Sequence, residues 1–255
     1  MKVSVITITR NNLKGLKATY DSVVTQTCSD YEFIIIDGAS NDGTADFLKL
    51  HDSEIDFWVS EPDSGIYNAM NKGIVHAHGE YCIFMNAGDI FYDSLVLSEM
   101  IPLLDIKNKL VFGQCTHTNG WIHHAILNVK LKQFWGPSFP HQAAFISTDL
   151  FKKYGGYRED YRAASDMFFF FEMIFLHNVL YLTSPRTIAL FESGGLSSGN
   201  ICLQERYHYI LHHMPFPYNV YCFILEIYSA VRNRFFSGFS LSGLVKRLTG
   251  SRISC

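Results

Sequence analysis

The sequence has no long apolar run, no paired cysteines and no large excess of either charge, and each absence removes a class of function. The most hydrophobic late stretch, PFPYNVYCFILEIYSAVRNRFF, holds roughly ten apolar residues with Glu226 among them, too few and too polar for a bilayer core of about 30 Å. A net charge of -3 gives no global basic field, so no nucleic-acid partner is expected. The six cysteines, Cys28, Cys82, Cys115, Cys202, Cys222 and Cys255, form no CxxC pair and no zinc-finger spacing. Reduced thiols and a cytoplasmic compartment are expected, with Cys82 behaving as a small hydrophobe inside an apolar segment. MKVSVITITRNN offers about six apolar residues before Arg10, too short for a secretory h-region. No glycine follows the first apolar segment until Gly15, so the G-x-G-x-x-G dinucleotide fingerprint is missing. A GxxxxGK[ST] phosphate loop is missing too, as are internal repeats and low-complexity tracts.

What is there is an alternation of strands and helices. The chain is 48% hydrophobic and 18% charged over 255 residues, a globular composition that fits one large α/β domain or a domain with an appendage. Val3 to Ile8 is β-branched and unbroken, the pattern of a strand buried on both faces. Leu13 to Thr27 has helical spacing at Leu13, Leu16, Tyr20, Val23 and Val24. YEFIIID is a second strand, ending at Asp37. GASNDGT is a turn, after which Asp42 or Thr44 can cap a helix through Leu50. DFWVSEPD is a third strand, GIYNAMNKGIVHA a helix, and the run to Met85 a fourth strand. DSLVLSEMIPLLD reads as a helix capped by Asp93, and KLVFGQC as a strand. The alternation breaks between Thr116 and Pro140; HQAAFISTDLFKKYGGY then gives a strand, a turn and a helix. SDMFFFFEMIFLHN is an apolar helix, and the chain after Ser193 is helical and aromatic.

Strands alternating with helices imply a mostly parallel sheet with right-handed crossovers. Such sheets bind ligands beyond the carboxyl ends of their strands, which puts Thr9, Asp37, Asp63 and Asp89 near one rim. Asp37 is either a turn-forming residue or an acceptor for a nucleobase or ribose. Asp89, after the abrupt end of the strand YCIFM, is either a turn or cap residue or a carboxylate for Mg²⁺ or Mn²⁺ beside a diphosphate leaving group.

VSVITITRNN, IIIDGASNDGT, SEPDSGIYNAMNKGI, IFMNAGD and HQAAFI occur in that order over roughly residues 1 to 190, and together they resemble the family 2 glycosyltransferases of GT-A fold. EPDSGIYNAMNKG and NAGD are most similar to bacterial enzymes that build exopolysaccharide, capsule and O-antigen units. The resemblance implies an α/β fold, a Rossmann-like nucleotide-diphospho-sugar transferase. It also implies inverting transfer of one sugar from a nucleotide-diphosphate sugar, usually UDP-linked, to a saccharide acceptor, which can be polyprenyl-linked.

By the same resemblance Thr9 and Arg10 contact the nucleotide, Asp37 its base and Asp63 the nucleotide again. The metal motif reads Asn86-Ala87-Gly88-Asp89: Asp89 is the expected ligand of Mn²⁺ or Mg²⁺, and Asn86 ligates through its carbonyl or binds ribose, with one negative charge fewer than Asp-x-Asp. The expected base is Asp166, in Ser165-Asp166 ahead of the apolar helix, with Ser165 the better cap. His141 and Gln142 are expected to face the acceptor or the diphosphate, or else His141 is a satisfied histidine at a strand start. Asn68 stands where relatives carry Asp, which leaves a donor contact open. Lys72 receives no role, and His76, His78, His123 and His124 form no ligand constellation. Glu192 precedes SGGLSS, a flap or a plain connector.

The expected division is a catalytic domain over 1–195, with a nucleotide half to about 115 and an acceptor half over about 116–195. A helical, aromatic and basic extension over 196–255 follows. Arg232, Arg234, Lys246, Arg247 and Arg252 with Phe235, Phe236 and Phe239 suit an anionic membrane surface, or packing onto the domain, or a dimer contact. A membrane-surface position would place the protein at the inner face of the cell membrane. Two rival readings stand beside it. A sugar nucleotidyltransferase wants a glycine-rich basic loop where TITRNN stands. A non-catalytic nucleotide-sugar-binding protein is favoured by Asn86 alone.

Overall fold

The computed structural model describes residues 1–105, 107, 109–118, 120, 122–123, 140–191, 200–225 and 227. The chain forms two compact units, Met1–Glu205 and Arg206–Cys255. The first is built on a mixed sheet with helices around it. Its first half is parallel: β3 (Phe57–Ser60), β2 (Tyr31–Asp37), β1 (Val3–Thr9) and β4 (Tyr81–Phe84) lie side by side in that order. The β1–β2 register runs from Val3 opposite Tyr31 to Thr9 opposite Asp37. Both central strands are almost wholly buried, which is why their sequences are runs rather than alternations. Crossover helices α1 (Leu13–Val24), α2 (Thr44–Leu50) and α3 (Ile66–His76) connect them. Leu16, Tyr20 and Val23 of α1 enter the core with Val5, Phe33 and Ile35, each such side chain contributing about 1.5–3 kcal/mol of burial.

The second half of the sheet is largely antiparallel. After β4 come β8 (Ala144–Ser147), β6 (Leu110–His117), β9 (Tyr181–Phe191) and β5 (Ile90–Phe91), with β7 (Ile122–His123) beside β6. β4–β8, β8–β6 and β9–β5 are antiparallel, while β6–β9 is parallel. The remaining helices are α4 (Val96–Met100), α5 (Thr148–Tyr154), α6 (Ser165–Phe171) and α7 (Asn200–His212).

Several sequence expectations change here. The helix expected from Asp93 is only α4, followed by a 3₁₀ turn over Ile101–Leu103, because Pro102 has no N–H for the α ladder. Asp93 is not its N-cap: its carboxylate accepts from the Leu95 N–H and from Arg186. The third strand stops at Ser60, before Pro62, which has no N–H for a ladder. The helix expected over residues 165–178 is α6 plus a π-helical turn, Glu172–Leu176, closed by the His177 N–H on the Glu172 carbonyl at 3.0 Å. Ser165 is not the cap either: its hydroxyl accepts from the Arg158 N–H at 2.7 Å.

No helix among the described residues is long and apolar enough to cross a membrane. Glu192 with SGGLSS, His124, and the basic and aromatic residues from Arg232 to Arg252 lie outside the described residues.

Candidate active site

The rim is assembled at the carboxyl ends of β1, β2 and β4. Thr9 ends β1 in the core, and its buried Oγ1 has no hydrogen-bond partner among the described residues. Arg10 follows with its side chain exposed, its guanidinium 3.7 Å from the carboxylate of Asp63, which is itself only 6% exposed. Asp63 lies against Gly38, where a Cβ would stand 2.2 Å from its Oδ2. Lys72 bonds the Pro62 carbonyl at 2.8 Å and Glu61 at 2.7 Å, so the residue given no role holds the loop that carries Asp63.

Asp37, opposite Thr9, is fully buried. Its carboxylate accepts from the N–H and hydroxyl of Ser40 and from the Ser60 hydroxyl at 2.6 Å. The expected direct contact with a base therefore meets a carboxylate already turned inward, one that fixes the turn after β2. Asn11, at φ 51°, completes this loop: its N–H donates to the Ser40 hydroxyl and its side-chain oxygen accepts from the Asn41 N–H.

The Asn86-Ala87-Gly88-Asp89 turn leaves β4 beside β1, with the Ala87 N–H on the Ile8 carbonyl at 3.0 Å. Gly88 takes φ 108°, open to glycine at little cost. The turn is held from α1. Thr19 Oγ1 lies 2.7 Å from the Asp89 carbonyl and accepts from the Gly88 N–H at 3.0 Å. Asn12, the N-cap of α1, donates to the Ala87 carbonyl at 2.9 Å.

From this turn a chain of hydrogen bonds crosses the site. Asn86 Nδ2 is 3.1 Å from His141 Nε2, His141 Nδ1 is 2.9 Å from Asp166 Oδ2, and the Tyr67 hydroxyl donates to Asp166 Oδ1 at 2.9 Å. Gln142 hydrogen-bonds Asp89. His141 and Gln142 form the 3₁₀ turn before β8, Tyr67 lies in the first turn of α3 and Asp166 in the first turn of α6. Thus Asn86, Asp89, His141, Gln142 and Asp166 come together, and Thr9, Arg10, Asp37 and Asp63 gather around the ends of β1 and β2.

Electrostatics follow the geometry. Burial pushes the Asp89 carboxyl up to about 6, against the pull of the His141 charge and the Gln142 hydrogen bond. Burial works against the charged forms of His141 and Asp166 as well, but their mutual hydrogen bond and charge win: His141 is raised above its ordinary value and Asp166 lowered below its own. Burial first, then the Asp166 charge, holds the Tyr67 phenol well above its ordinary value, so it stays a donor.

The Asn86-Asp89 turn suits a hard divalent cation. A half-buried carboxyl that resists ionising gains from a neighbouring positive charge, and the buried Oδ1 of Asn86 has no hydrogen-bond partner among the described residues. Both donors are oxygens, the preference of Mg²⁺ and Mn²⁺. Among the described residues there is no group of three or more His, Cys, Asp or Glu that could hold a metal ion.

The loop before Asp166 is bolted down at several points. Asn68 and Asn71 each donate to Glu159 at 2.8 Å, and Asn71 also donates to the Tyr157 carbonyl. Glu205 accepts from the N–H groups of Arg162 and Ala163 at 2.5 and 2.9 Å. An amide at position 68 suits this partner, since an aspartate there would face the Glu159 carboxylate. Sequence reasoning missed Tyr67, Asn12, Thr19, Lys72 and Glu205. Tyr67 and Lys72 lay inside GIYNAMNKG and Asn12 inside VSVITITRNN, whereas Thr19 and Glu205 lay in no quoted motif.

Residues 4–161 match the model of Glycosyl transferase family 2; Asp166 lies just beyond that match. An uncharacterised glycosyltransferase of Mycobacterium tuberculosis is 35% identical over 174 residues, 66% of this chain and 66% of the relative's length. Among solved structures, S. aureus TarS residues 1–349 in complex with UDP-GlcNAc aligns at TM-score 0.66 and 17% identity, covering 86% of this chain and 69% of that one. The mannosyltransferase PcManGT from Pyrobaculum calidifontis, in complex with GDP-Man and Mn²⁺, aligns at TM-score 0.63 and 21% identity, covering 82% and 62%. These likenesses carry the GT-A fold, and the family match over the strands and turns that form the rim carries the membership: the chain belongs to glycosyltransferase family 2.

Proposed function

We propose that the protein transfers one sugar, with inversion, from a UDP-linked donor to a saccharide acceptor carried on a polyprenyl lipid at the inner face of the cell membrane, in bacterial surface-polysaccharide synthesis. The observation that carries the reading is the hydrogen-bonded line from Asn86 through His141 to Asp166. It ties the turn that would face a leaving diphosphate to the carboxylate that would face an acceptor. In TarS and PcManGT the bound molecules are nucleotide sugars, UDP-GlcNAc and GDP-Man.

Thr9, Arg10 and Asp63 bind the nucleotide, and Asp37 acts from behind them by holding the Ser40 turn in place. Arg10 is the exposed cation of this group, suited to phosphate oxygens. Asp89 and Asn86 would hold the Mn²⁺ or Mg²⁺, which when bound neutralises charge on the leaving diphosphate. His141 and Gln142 line the space between diphosphate and acceptor. Asp166, kept ionised by His141 and Tyr67, takes the acceptor hydroxyl proton. The acceptor oxygen bonds to the anomeric carbon as the bond to the phosphate oxygen breaks, and that electron pair leaves with the nucleoside diphosphate. The nucleotide half spans about 1–115 and the acceptor half about 116–195, with the remainder an extension that meets the membrane.

Incubation with UDP-GlcNAc, UDP-glucose, UDP-galactose and GDP-mannose in Mn²⁺, with polyprenyl-linked saccharide acceptors, tests the reading. Release of nucleotide from one donor and an NMR-detected product of opposite anomeric configuration are expected. A product of retained configuration, or none from any donor, overturns it.

A further inference from the structure

We propose that Tyr67 is a positioning residue for this reaction: its hydroxyl fixes Oδ1 of Asp166 while His141 fixes Oδ2, so that the carboxylate keeps a single orientation. The inference rests on Asp166 being the base. The second torsion of an aspartate is soft and roughly two-fold, so one contact leaves the carboxylate free to turn. Two contacts on different oxygens, both at 2.9 Å, remove that freedom, and misorientation of a base costs rate.

Tyr67 is well placed for the task. It is 4% exposed, and its ring packs on Tyr157 at 5.6 Å between centroids. It sits four residues after Asp63, and α3 is locked to the acceptor-side loop through Asn68, Asn71 and Glu159. One rigid turn thus reaches from the donor loop to the base. Among the described residues, the titratable groups facing Asp166 are His141, Tyr67 and Tyr157. Tyr157 belongs to the same aromatic cluster and is equally buried, yet its hydroxyl has no hydrogen-bond partner among the described residues. The two tyrosines therefore form a matched pair: one hydroxyl bonded to Asp166, one not.

The test compares Y67F and Y157F with the unaltered full chain. Nucleotide release from UDP-GlcNAc, UDP-glucose, UDP-galactose and GDP-mannose in Mn²⁺ is measured, together with UDP affinity and the ¹³C titration of the Asp166 carboxyl. Y67F is expected to lower kcat by about 10- to 100-fold, the effect of one lost charge-assisted hydrogen bond, with UDP affinity unchanged. Its Asp166 midpoint should rise, because a hydrogen bond to the charged form is gone. Y157F should match the unaltered protein in all three. An unchanged kcat and midpoint in Y67F, or equal losses in Y157F, overturn the proposal. If the unaltered protein releases nucleotide from no donor, the assignment of Asp166 fails on its own; the Asp166 midpoint then judges Tyr67, and an unmoved midpoint in Y67F overturns it.

Discussion

Replacing Asp166 by Asn isolates the proposed chemistry from the fold. The side chain keeps its size, and its oxygen can still accept from Tyr67. What disappears is the negative charge and the acceptor for His141 Nδ1, 2.9 Å away. The lost charge-assisted bond costs about 1.5–3 kcal/mol of stability before solvent screening. The side chain is 17% exposed, so the cost falls toward the lower end, and a domain stable by about 5–15 kcal/mol stays folded. Loss of a general base costs about 10²- to 10⁴-fold in turnover, or about 2.7–5.4 kcal/mol in barrier. D166N should therefore lose at least about a hundredfold in kcat, while UDP affinity, measured by calorimetry, holds within twofold. A D166N protein with the unaltered turnover would refute the assignment of the base. One that has also lost nucleotide affinity would show that the carboxylate shapes the donor site instead.

Asp89→Ala should abolish the Mn²⁺ dependence of UDP binding, read by calorimetry with and without the ion, because no other carboxylate lies in the turn. Gly38→Ala places a Cβ 2.2 Å from the Asp63 carboxylate; it should weaken UDP binding about tenfold or more while costing about 1 kcal/mol or less in urea unfolding. Glu32 is 3% exposed and accepts from the Ser4 hydroxyl and the His78 and Gly79 N–H groups, so E32A should cost about 2–4 kcal/mol. Burial pushes the Glu32 carboxyl up, but these hydrogen bonds hold it below the ordinary 4.5. Its stabilisation is then full above that value and lost as pH falls through the lower folded value. The gap in urea midpoint between the unaltered protein and E32Q should therefore narrow as pH falls below 4.5.

The parallel half of the fold was legible because its signals are local. β1 and β2 are β-branched runs ending in polar turns, and the α1 pattern repeats at helical spacing. The same signals put Thr9, Asp37, Asp63 and Asp89 near the strand ends. β9 carries Pro185 in its interior, which weakens a local strand signal. The structure absorbs that proline where the β6–β9 register shifts, between Phe112 opposite Thr183 and Gln114 opposite Thr187. β5, only Ile90–Phe91, is too short to leave a pattern. The hydrogen-bonded line through the site joins residues 25, 55 and 99 positions apart. No local signal encodes such contacts, and the inward turn of Asp37 onto Ser60 is likewise a tertiary event.

The central claim is that the rim formed by Thr9, Arg10, Asp63 and Asp89 holds a nucleoside diphosphate and a divalent cation. A thermal-shift titration of UDP, GDP, dTDP and ADP, each with and without Mn²⁺, tests it most directly. A ligand at a hundred times its dissociation constant adds about 2.7 kcal/mol to the native state, several degrees in melting temperature for a domain of this size. UDP should raise the melting temperature only with Mn²⁺ present, and Asp89→Ala should lose that rise. Folded protein whose melting temperature moves with none of the four nucleotides, in either metal condition, would contradict it.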